Sequence, residues 1–358
     1  MLFIHIGPMK TGTSTIQRFL VDNVEALAKQ GIIYPRVGRS ARSAHHNFAH
    51  ELRSAVYFNP ALGGLDQLFA VMRETPGKQF VISSEMLASL PVQRINFLKE
   101  RLSGIDIRII SYTRSPASLI RSHYTQASKL GRHIDDFDVY FDRAIAKSIG
   151  SVRLRPERWA TVFGWEALRV RSLEQLRSDG TDLLEDFLSA LGLPADAIRV
   201  MQQPERRNES PGWRTVELLR SLYRRSNLTP AVDVDAQVAE LRRLSPVRWN
   251  ILLGAELSGR HIRLPDEIGS YMSDRHLALL SRIYEHDANY LRRALPDLVL
   301  PPMHSEPRSF LPEAAVIDLA VRRKFYACLA EHISDALAAS RLTLAWENSC
   351  DLRIVRSG

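Results

Sequence analysis

The chain has little cysteine and no long apolar run. Only two of its 358 residues are cysteines, Cys328 and Cys350, too few for a disulfide framework, which predicts a protein of the reducing cytoplasm. No uninterrupted apolar stretch is long enough to span a bilayer, so we expect no transmembrane segment. The first residues lack the charged region that opens a signal peptide. These absences argue against a secreted disulfide-rich protein and against a membrane-spanning one.

The sequence also lacks a compact basic block. Lys and Arg number 48 against 40 Asp and Glu, a formal net charge of +8, which favours anionic partners such as a nucleotide or an acidic sugar. The arginines are scattered through helical stretches without interleaved aromatic residues, so we predict no nucleic-acid partner. Hydrophobic residues make up 45% and charged residues 25% of the chain, values typical of a globular protein with a sizeable core.

The opening of the chain predicts a strand, a loop and a helix. Residues 2–6 form an apolar run that ends at Gly7-Pro8, and from Thr13 onward apolar residues recur at helical spacing. A loop between a strand and a helix directs backbone N–H groups and the positive end of the helix dipole at one spot. One cation and three hydroxyl residues lie close to that spot: Lys10, Thr13, Ser14 and Thr15. We therefore predict an anion site there, for a phosphate.

The same loop differs from an NTPase P-loop in one informative position. Gly7 and Gly12 have the G-x-x-x-x-G spacing, but Thr13 stands where the motif has lysine before the Mg²⁺-binding hydroxyl. The cation lies inside the loop instead, at Lys10, from where it can reach a leaving phosphate or a bridging oxygen. This favours a phosphate ligand handled without a metal. An ordinary strand-to-helix turn with a chance lysine is the alternative.

Strand and helix patterns alternate to about residue 194, which predicts an α/β fold with a P-loop NTPase-like parallel β-sheet flanked by helices. Residues 181–191 predict a helix with Thr181 as its N-cap. The part after residue 206 reads as mainly helical, with one helix at 234–244, a proline-rich connection from residue 296 to 312 and two short strands near the end. We expect three stretches: a core at 1–210, a helical part of the same domain at 211–300, and an extension at 301–358.

Polar residues lie at the ends of two of the predicted strands. Glu85 ends the predicted strand at 79–85, and Arg114 lies at the end of the predicted strand at 107–113. Because the carboxyl ends of parallel strands share one edge, where ligands bind, we expect both side chains on the edge that carries Lys10.

Two separated motifs resemble one family. Pro8-x-Lys10-Thr11-Gly12-Thr13-Ser14-Thr15 and Arg114-x-Pro116, followed by Ser122-x-Tyr124, resemble the two signatures of sulfotransferases that use 3′-phosphoadenosine 5′-phosphosulfate (PAPS). The chain looks like the bacterial, carbohydrate sulfotransferase-like members. Met9, between Pro8 and Lys10, departs from the tightest form of the loop. The resemblance covers about the first 210 residues, and its clearest motifs lie in the first 130.

The resemblance implies roles for these residues. Lys10 would contact the leaving group of PAPS, and the stretch Thr11, Gly12, Thr13, Ser14 and Thr15 would hold the 5′-phosphate through N–H groups and hydroxyls. Arg114 and Ser122 would bind the 3′-phosphate, with no metal. For Tyr112 and Tyr124 core packing, and for Lys129 a solvated helix end, are alternatives to ligand contact. A basic stretch at Arg206, Arg207 and Asn208 could add to this site, although the family's own motif is absent there.

Two residues compete for the role of catalytic base. The family places a catalytic His or Glu at a comparable strand end, and Glu85 takes that place here; a helix-capping carboxylate is the alternative reading. His46 is the rival, since histidine is the usual proton shuttle, and we expect His45 or His46 near the acceptor. His46 and His50 have the i, i+4 spacing of metal ligands, but no matching carboxylate or cysteine motif accompanies them.

The function expected from the resemblance is sulfuryl transfer from PAPS to a hydroxyl, or an amine, of an acceptor. A carbohydrate or glycolipid is the leading acceptor, because Glu-bearing members of the family often use carbohydrates. The part after residue 210 would cover the cleft and set acceptor choice. Two alternatives stay open: a P-loop kinase that uses ATP, which the displaced lysine argues against, and a non-catalytic anion- or polyanion-binding protein, which the basic balance suggests.

Overall fold

The computed structural model describes residues 1–40, 43–53, 55–199, 201, 212–226, 228, 234–262, 271–303 and 317–357. The chain divides into two compact units. The first comprises Met1–Leu119, Gly150–Arg206 and Leu279–Met303, and the second comprises Ile120–Ile149, Arg207–Ala278 and His304–Gly358. Both units are discontinuous in sequence. The division with boundaries at residues 210 and 300 stays a prediction.

A five-stranded parallel sheet forms the centre of the first unit, as the alternating pattern predicted. Its strands are β1 (Leu2–His5), β2 (Ile32–Ile33), β3 (Gln79–Ser83), β4 (Ile107–Thr113) and β5 (Leu168–Ser172), in the order β2-β3-β1-β4-β5. Strand β1 is therefore central, and His5 is level with Ser83 on one side and Ile110 on the other. The segment after β1 consequently emerges between the carboxyl ends of β3 and β4.

Fifteen α-helices lie in the described residues. In chain order they are α1 (Thr13–Asp22), α2 (Val24–Lys29), α3 (His46–Arg53), α4 (Leu65–Glu74), α5 (Val92–Arg101), α6 (Pro116–Lys129), α7 (Phe137–Ala146), α8 (Leu154–Phe163), α9 (Leu173–Ser178), α10 (Leu183–Ala190), α11 (Ala195–Arg199), α12 (Trp213–Arg225), α13 (Val234–Ile262), α14 (Asp274–Ala294) and α15 (Leu319–Ala339). No helix among them is both long and apolar enough to cross a bilayer.

The sheet of the first unit is buried on both faces. Successive side chains of β1 alternate: Leu2 and Ile4 pack with α3, α4, α5, α8 and the part of α14 that belongs to this unit, whereas Phe3 packs with α1, α2, α10 and α11. Period-two alternation between two apolar layers is why the strands read as near-continuous apolar runs. The result is a helix–sheet–helix arrangement whose loops at the carboxyl edge carry the predicted site.

An ion pair between the buried Asp186 carboxylate and the partly exposed Arg171 fixes α10 to the sheet. Asp186 on α10 accepts hydrogen bonds from Arg171 Nε on β5 and from the Tyr112 hydroxyl on β4, each at 2.7 Å. Burial, together with the Asp186 carboxylate, raises the pKa of Tyr112 far above its ordinary value. Tyr112 is fully buried, so the structure supports core packing for this residue and not ligand contact.

The second unit is mainly helical, as the sequence indicated. Helices α12, α13 and α15 pack around a common apolar core with an antiparallel hairpin of β6 (Leu342–Trp346) and β7 (Leu352–Arg356). Tyr124, at the second half of α6, is fully buried, with its ring against Phe137 and Tyr271. Lys129, at the end of α6, is only partly exposed, and burial lowers its pKa.

Several helix boundaries differ from those predicted. The first helix breaks at Asn23, whose amide donates to the Phe19 carbonyl at 3.0 Å and so ends α1. The N-cap of α10 is Asp182 rather than Thr181, because the Asp182 carboxylate accepts from Leu184 N at 2.8 Å. The helix expected at 234–244 continues to Ile262, past Pro246. The predicted proline connection beyond residue 303 and the stretch Arg206–Asn208 lie outside the described residues.

Candidate active site

The loop between β1 and α1 is tightly folded on itself. Lys10 and Gly12 both have φ in the left-handed region, at 73° and 80°. The hydroxyls of Thr11 and Thr13 both donate to the Pro8 carbonyl, at 2.7 and 3.3 Å. A left-handed conformation at a residue with a β-carbon costs about 1–2 kcal/mol, so these contacts hold Lys10 where it would not otherwise stay.

The start of α1 is suited to an anion. Gly12 is the N-cap residue and offers no side chain to cap the first turn, and no acidic residue lies in that turn. By contrast, Ser172 caps α9 and Asp182 caps α10 with side-chain oxygens. Ser14 is exposed beside the helix start. The uncapped N–H groups and the positive helix end therefore face the loop that carries Lys10.

The predicted phosphate-holding residues divide into two groups in this loop. The Thr11 and Thr13 side chains are buried and bind Pro8, so each hydroxyl hydrogen is already used within the loop. Ser14 and Thr15 have exposed side chains. A phosphate at this place would therefore meet the hydroxyls of Ser14 and Thr15 and the backbone N–H groups, whereas a donated bond from Thr13 would require it to leave Pro8.

The two separately predicted motifs touch each other. Arg114, directly after β4, donates from Nη1 to the Lys10 carbonyl at 2.8 Å. The next residue, Ser115, donates its N–H to Glu174 Oε1 at 2.9 Å, which fixes the approach to α6. The guanidinium thus lies against the loop after β1, as expected for neighbouring strand ends. Ser122 lies in α6 within the second unit, and its role at the 3′-phosphate stays a prediction.

Glu85 and His46, which the sequence set against each other as rival bases, form one pair. His46 Nε2 lies 3.6 Å from Glu85 Oε1, and the two side chains are 26% and 21% exposed. On its other side, His46 Nδ1 is hydrogen bonded to the Ser84 hydroxyl at 2.8 Å. Glu85 caps no helix by a side-chain bond that the structure describes; its second oxygen accepts from Gln17 at 3.0 Å.

The side-chain contacts from Ser84 to His46 and from His46 to Glu85 have the connectivity of a nucleophilic triad. The serine cannot act as a nucleophile here. Ser84 is fully buried and also accepts a hydrogen bond from Met86 N at 3.3 Å. Its hydroxyl therefore orients the His46 ring. His46 and Glu85 are the partly exposed members of this group, and a proton acceptor for a bound substrate is what they can supply.

His45 has a structural position. Its Nδ1 accepts the N–H of Ser83 at 3.2 Å, which leaves Nε2 to donate to the Pro35 carbonyl at 3.0 Å. Its own backbone N–H donates to the Ser83 carbonyl at 2.8 Å. The ring is fully buried and stacks on Phe48. Of the two histidines expected near the acceptor, only His46 has a partly exposed ring.

No cluster of metal ligands accompanies these histidines in the described part of the chain. His50, one turn after His46, lies against the ring of Tyr57 with 5.6 Å between ring centroids. Over the described residues, no group of three or more His, Cys, Asp or Glu side chains is arranged to hold a metal ion.

Three polar residues of the site were missed in the sequence. Gln17 on α1 donates to Glu85 and, at 3.3 Å, to the Ser83 hydroxyl, which in turn is hydrogen bonded to His5 Nδ1 at 2.8 Å. Gln17, Ser83 and His5 are all buried. One signal was available: Gln17 lies four residues after Thr13, hence one turn along the same face of a helix that starts at the loop.

Comparisons with known proteins add little. No protein-family model and no curated protein matches the chain. Among solved structures, a sulfotransferase from Alicyclobacillus acidocaldarius is similar over 60% of this chain and 88% of its own, at 20% sequence identity and a TM-score of 0.38. Similarity at this level carries no functional assignment, so the function of this chain has to be inferred from its own residues.

Gly12 tests the packing of the loop. A β-carbon at Gly12 would overlap Leu183 Cδ2, whereas one at Gly104, with nearly the same φ of 79°, would meet nothing within 4 Å. We expect Gly104→Ala to lower the free energy of unfolding by about 1–2 kcal/mol through backbone strain alone. Gly12→Ala should lower it by about 1–3 kcal/mol more, because Leu183 must move. Urea unfolding of both variants measures the difference, and equal losses would contradict the close approach.

Acid should weaken the site's framework. Burial lowers the pKa of His5 and of His45 from 6.5 to about 3, so both rings stay neutral in the folded protein while the unfolded chain takes up protons below pH 6.5. Stability is therefore fully present above pH 6.5 and falls as the pH drops toward 3, by up to about 1.4 kcal/mol per pH unit for each ring. His45→Gln should show a shallower fall between pH 6.5 and 5 in urea titrations. An unchanged slope would contradict this assignment.

Proposed function

We propose that the chain is a sulfotransferase that moves a sulfuryl group from PAPS to an acceptor. The observation that carries the proposal is the hydrogen bond from Arg114 to the Lys10 carbonyl. It joins the first residue of the arginine motif to the lysine loop, so the start of the second motif that resembles a PAPS signature lies against the first motif. A chance resemblance of two segments about one hundred residues apart would not require them to meet.

The loop has the properties that a phosphosulfate requires. The uncapped start of α1 offers N–H groups and the positive helix end, and Lys10 adds a cation. The described first turn of α1 contains no carboxylate that would repel an anion. In the proposed complex Lys10 stabilises the charge on the leaving phosphate, and Ser14 and Thr15 hold the 5′-phosphate. Arg114 and Ser122 are assigned to the 3′-phosphate.

The transfer itself requires an in-line donor and an acceptor relieved of its proton. As the acceptor oxygen bonds to sulfur, the bond from sulfur to the phosphate oxygen breaks, and the acceptor proton must pass to a base. Glu85, at the end of β3 next to the loop, is the proposed base, and His46 beside its Oε1 is the partner that receives or shares that proton. Positioning and charge stabilisation supply the rest, without a divalent ion.

The acceptor class is proposed from the resemblance. A carbohydrate or glycolipid hydroxyl is the leading class, with phenols, small alcohols and amines as further acceptors to test. An ATP-dependent kinase is the second candidate; it would need Mg²⁺ binding, which the Thr13 position, where NTPases have lysine, disfavours. A non-catalytic anion-binding protein is the third, and it would not need the Glu85–His46 pair.

Binding of 3′-phosphoadenosine 5′-phosphate (PAP), the desulfated donor, tests the proposal. We expect calorimetric titration to show PAP binding that does not change when Mg²⁺ is replaced by EDTA, and ATP binding that is much weaker. Lys10→Ala and Arg114→Ala should each weaken PAP binding about tenfold or more, since each removes a charge-assisted contact worth about 1.5–3 kcal/mol. Glu51→Gln, on α3, is the control and should bind as the wild type does. An unchanged dissociation constant in both site variants would refute the assignment.

Turnover separates the roles of Glu85 and His46. Release of PAP from PAPS is followed with a panel of sugar, phenol and amine acceptors. Glu85→Gln should lower kcat by about 10²–10⁴-fold while PAP binding stays intact, because a general base contributes that much. His46→Asn should lower kcat by less. The reverse order would make His46 the base, and wild-type kinetics in both variants would favour the non-catalytic alternative.

A further inference from the structure

Gln17 is a buried polar residue on the helix that begins at the donor loop. Its side chain is 4% exposed, among apolar neighbours on α1 that pack under the sheet. Its amide nitrogen lies 3.0 Å from Glu85 Oε2 and 3.3 Å from the Ser83 hydroxyl oxygen. A long amide side chain loses much of its rotamer freedom when it is buried, so these contacts need an explanation beyond packing.

The chemistry of these contacts fixes the orientation of the Gln17 amide. Glu85 in its ionised form only accepts hydrogen bonds, so the amide must present its nitrogen and not its oxygen. The two N–H bonds of that nitrogen suit the two acceptors found there, the Glu85 carboxylate and the Ser83 hydroxyl. An amide flipped by half a turn would place two oxygens against each other.

The contact between Gln17 and the Ser83 hydroxyl is itself held in place by a further hydrogen bond. The Ser83 hydroxyl is also hydrogen bonded to His5 Nδ1 at 2.8 Å, and all three side chains are buried. Since the ring of His5 stays neutral, it accepts or donates this bond without bringing a charge. The chain of contacts therefore runs from β1, through β3, to α1 and out to Glu85.

We propose that Gln17 is a positioning residue that locks the carboxylate of Glu85 relative to the donor loop. With Oε2 held by Gln17, Oε1 is the oxygen that lies near His46 and is left for the acceptor proton. Because Gln17 lies one turn after Thr13 on α1, the same rigid helix that begins at the donor loop also sets the place of the base. This inference rests on the proposed function, since it assigns Gln17 a role in that reaction.

A double-mutant cycle tests the inference. Gln17→Met has nearly the same size and removes both N–H donors. In the wild-type background it should lower kcat by about 10- to 100-fold, the effect of a displaced catalytic group, with the PAP dissociation constant unchanged. In the Glu85→Gln background it should cause no further loss, because Gln17 acts through the carboxylate that is already gone.

A matched control separates positioning from a loss of folding. Asn23→Ala also removes a buried amide of the α1 end, one that donates to the Phe19 carbonyl. It should lower the unfolding temperature and leave kcat unchanged. If Gln17→Met does not fold, Gln17→Asn, which draws the amide back by one methylene, is taken through the same cycle.

The outcomes are distinguishable. An equal fall of kcat in both backgrounds, or no fall in either, overturns the role of Gln17 while the sulfotransferase proposal stands. A wild-type protein that neither binds PAP nor releases it from PAPS with any of the acceptors overturns the proposed function itself.

Discussion

The contact between Arg114 and the Lys10 carbonyl is the interaction on which the arrangement of the site depends. The left-handed backbone of Lys10 costs about 1–2 kcal/mol, and a hydrogen bond from a charged donor contributes about 1.5–3 kcal/mol. The two are comparable, so the guanidinium that follows β4 offsets the strain at Lys10, together with the bonds from Thr11 and Thr13 to the Pro8 carbonyl. Because β1 is the central strand, with β4 directly beside it, the strand order places the residue after β4 next to the loop after β1.

The other side of the site depends on buried, neutral polar groups. His5 and His45 bind the end of β3 through Ser83, by side-chain contacts from one and by side-chain and backbone contacts from the other. In a buried place of low polarity such hydrogen bonds are stronger than in water. The next residue, Ser84, is held as well, since its N–H donates to the His5 carbonyl at 3.1 Å. The residues that hold the end of β3 in this way, His5, His45 and Ser83, are themselves fully buried.

The sequence treats Glu85 and His46 as alternatives, because it does not show that the two side chains are neighbours. One side chain comes after β3 and the other begins α3, and nothing in their spacing of 39 positions shows that their reactive atoms lie 3.6 Å apart. A carboxylate and an imidazole at that distance lie together in one place, so the proposed proton transfer concerns both side chains. Kinetic measurements on variants separate the roles of the two side chains, whereas the distance between them shows that they form one pair.

What the sequence determined by itself was local. Apolar runs between turn residues predicted the strands β1, β3 and β4, helical spacing predicted the helix after the first loop, and the Gly12 and Lys10 loop resulted from residues adjacent in the chain. Side-chain competition at helix ends was harder to foresee: Asp182 displaced Thr181 as a cap, and Asn23 divided the first helix. Only the tertiary structure decided that His45 is a buried support for the end of β3 and that Gln17 reaches Glu85. These contacts join residues whose neighbours in sequence do not specify them, since they arise only where the order of strands in the sheet brings separate segments to one edge.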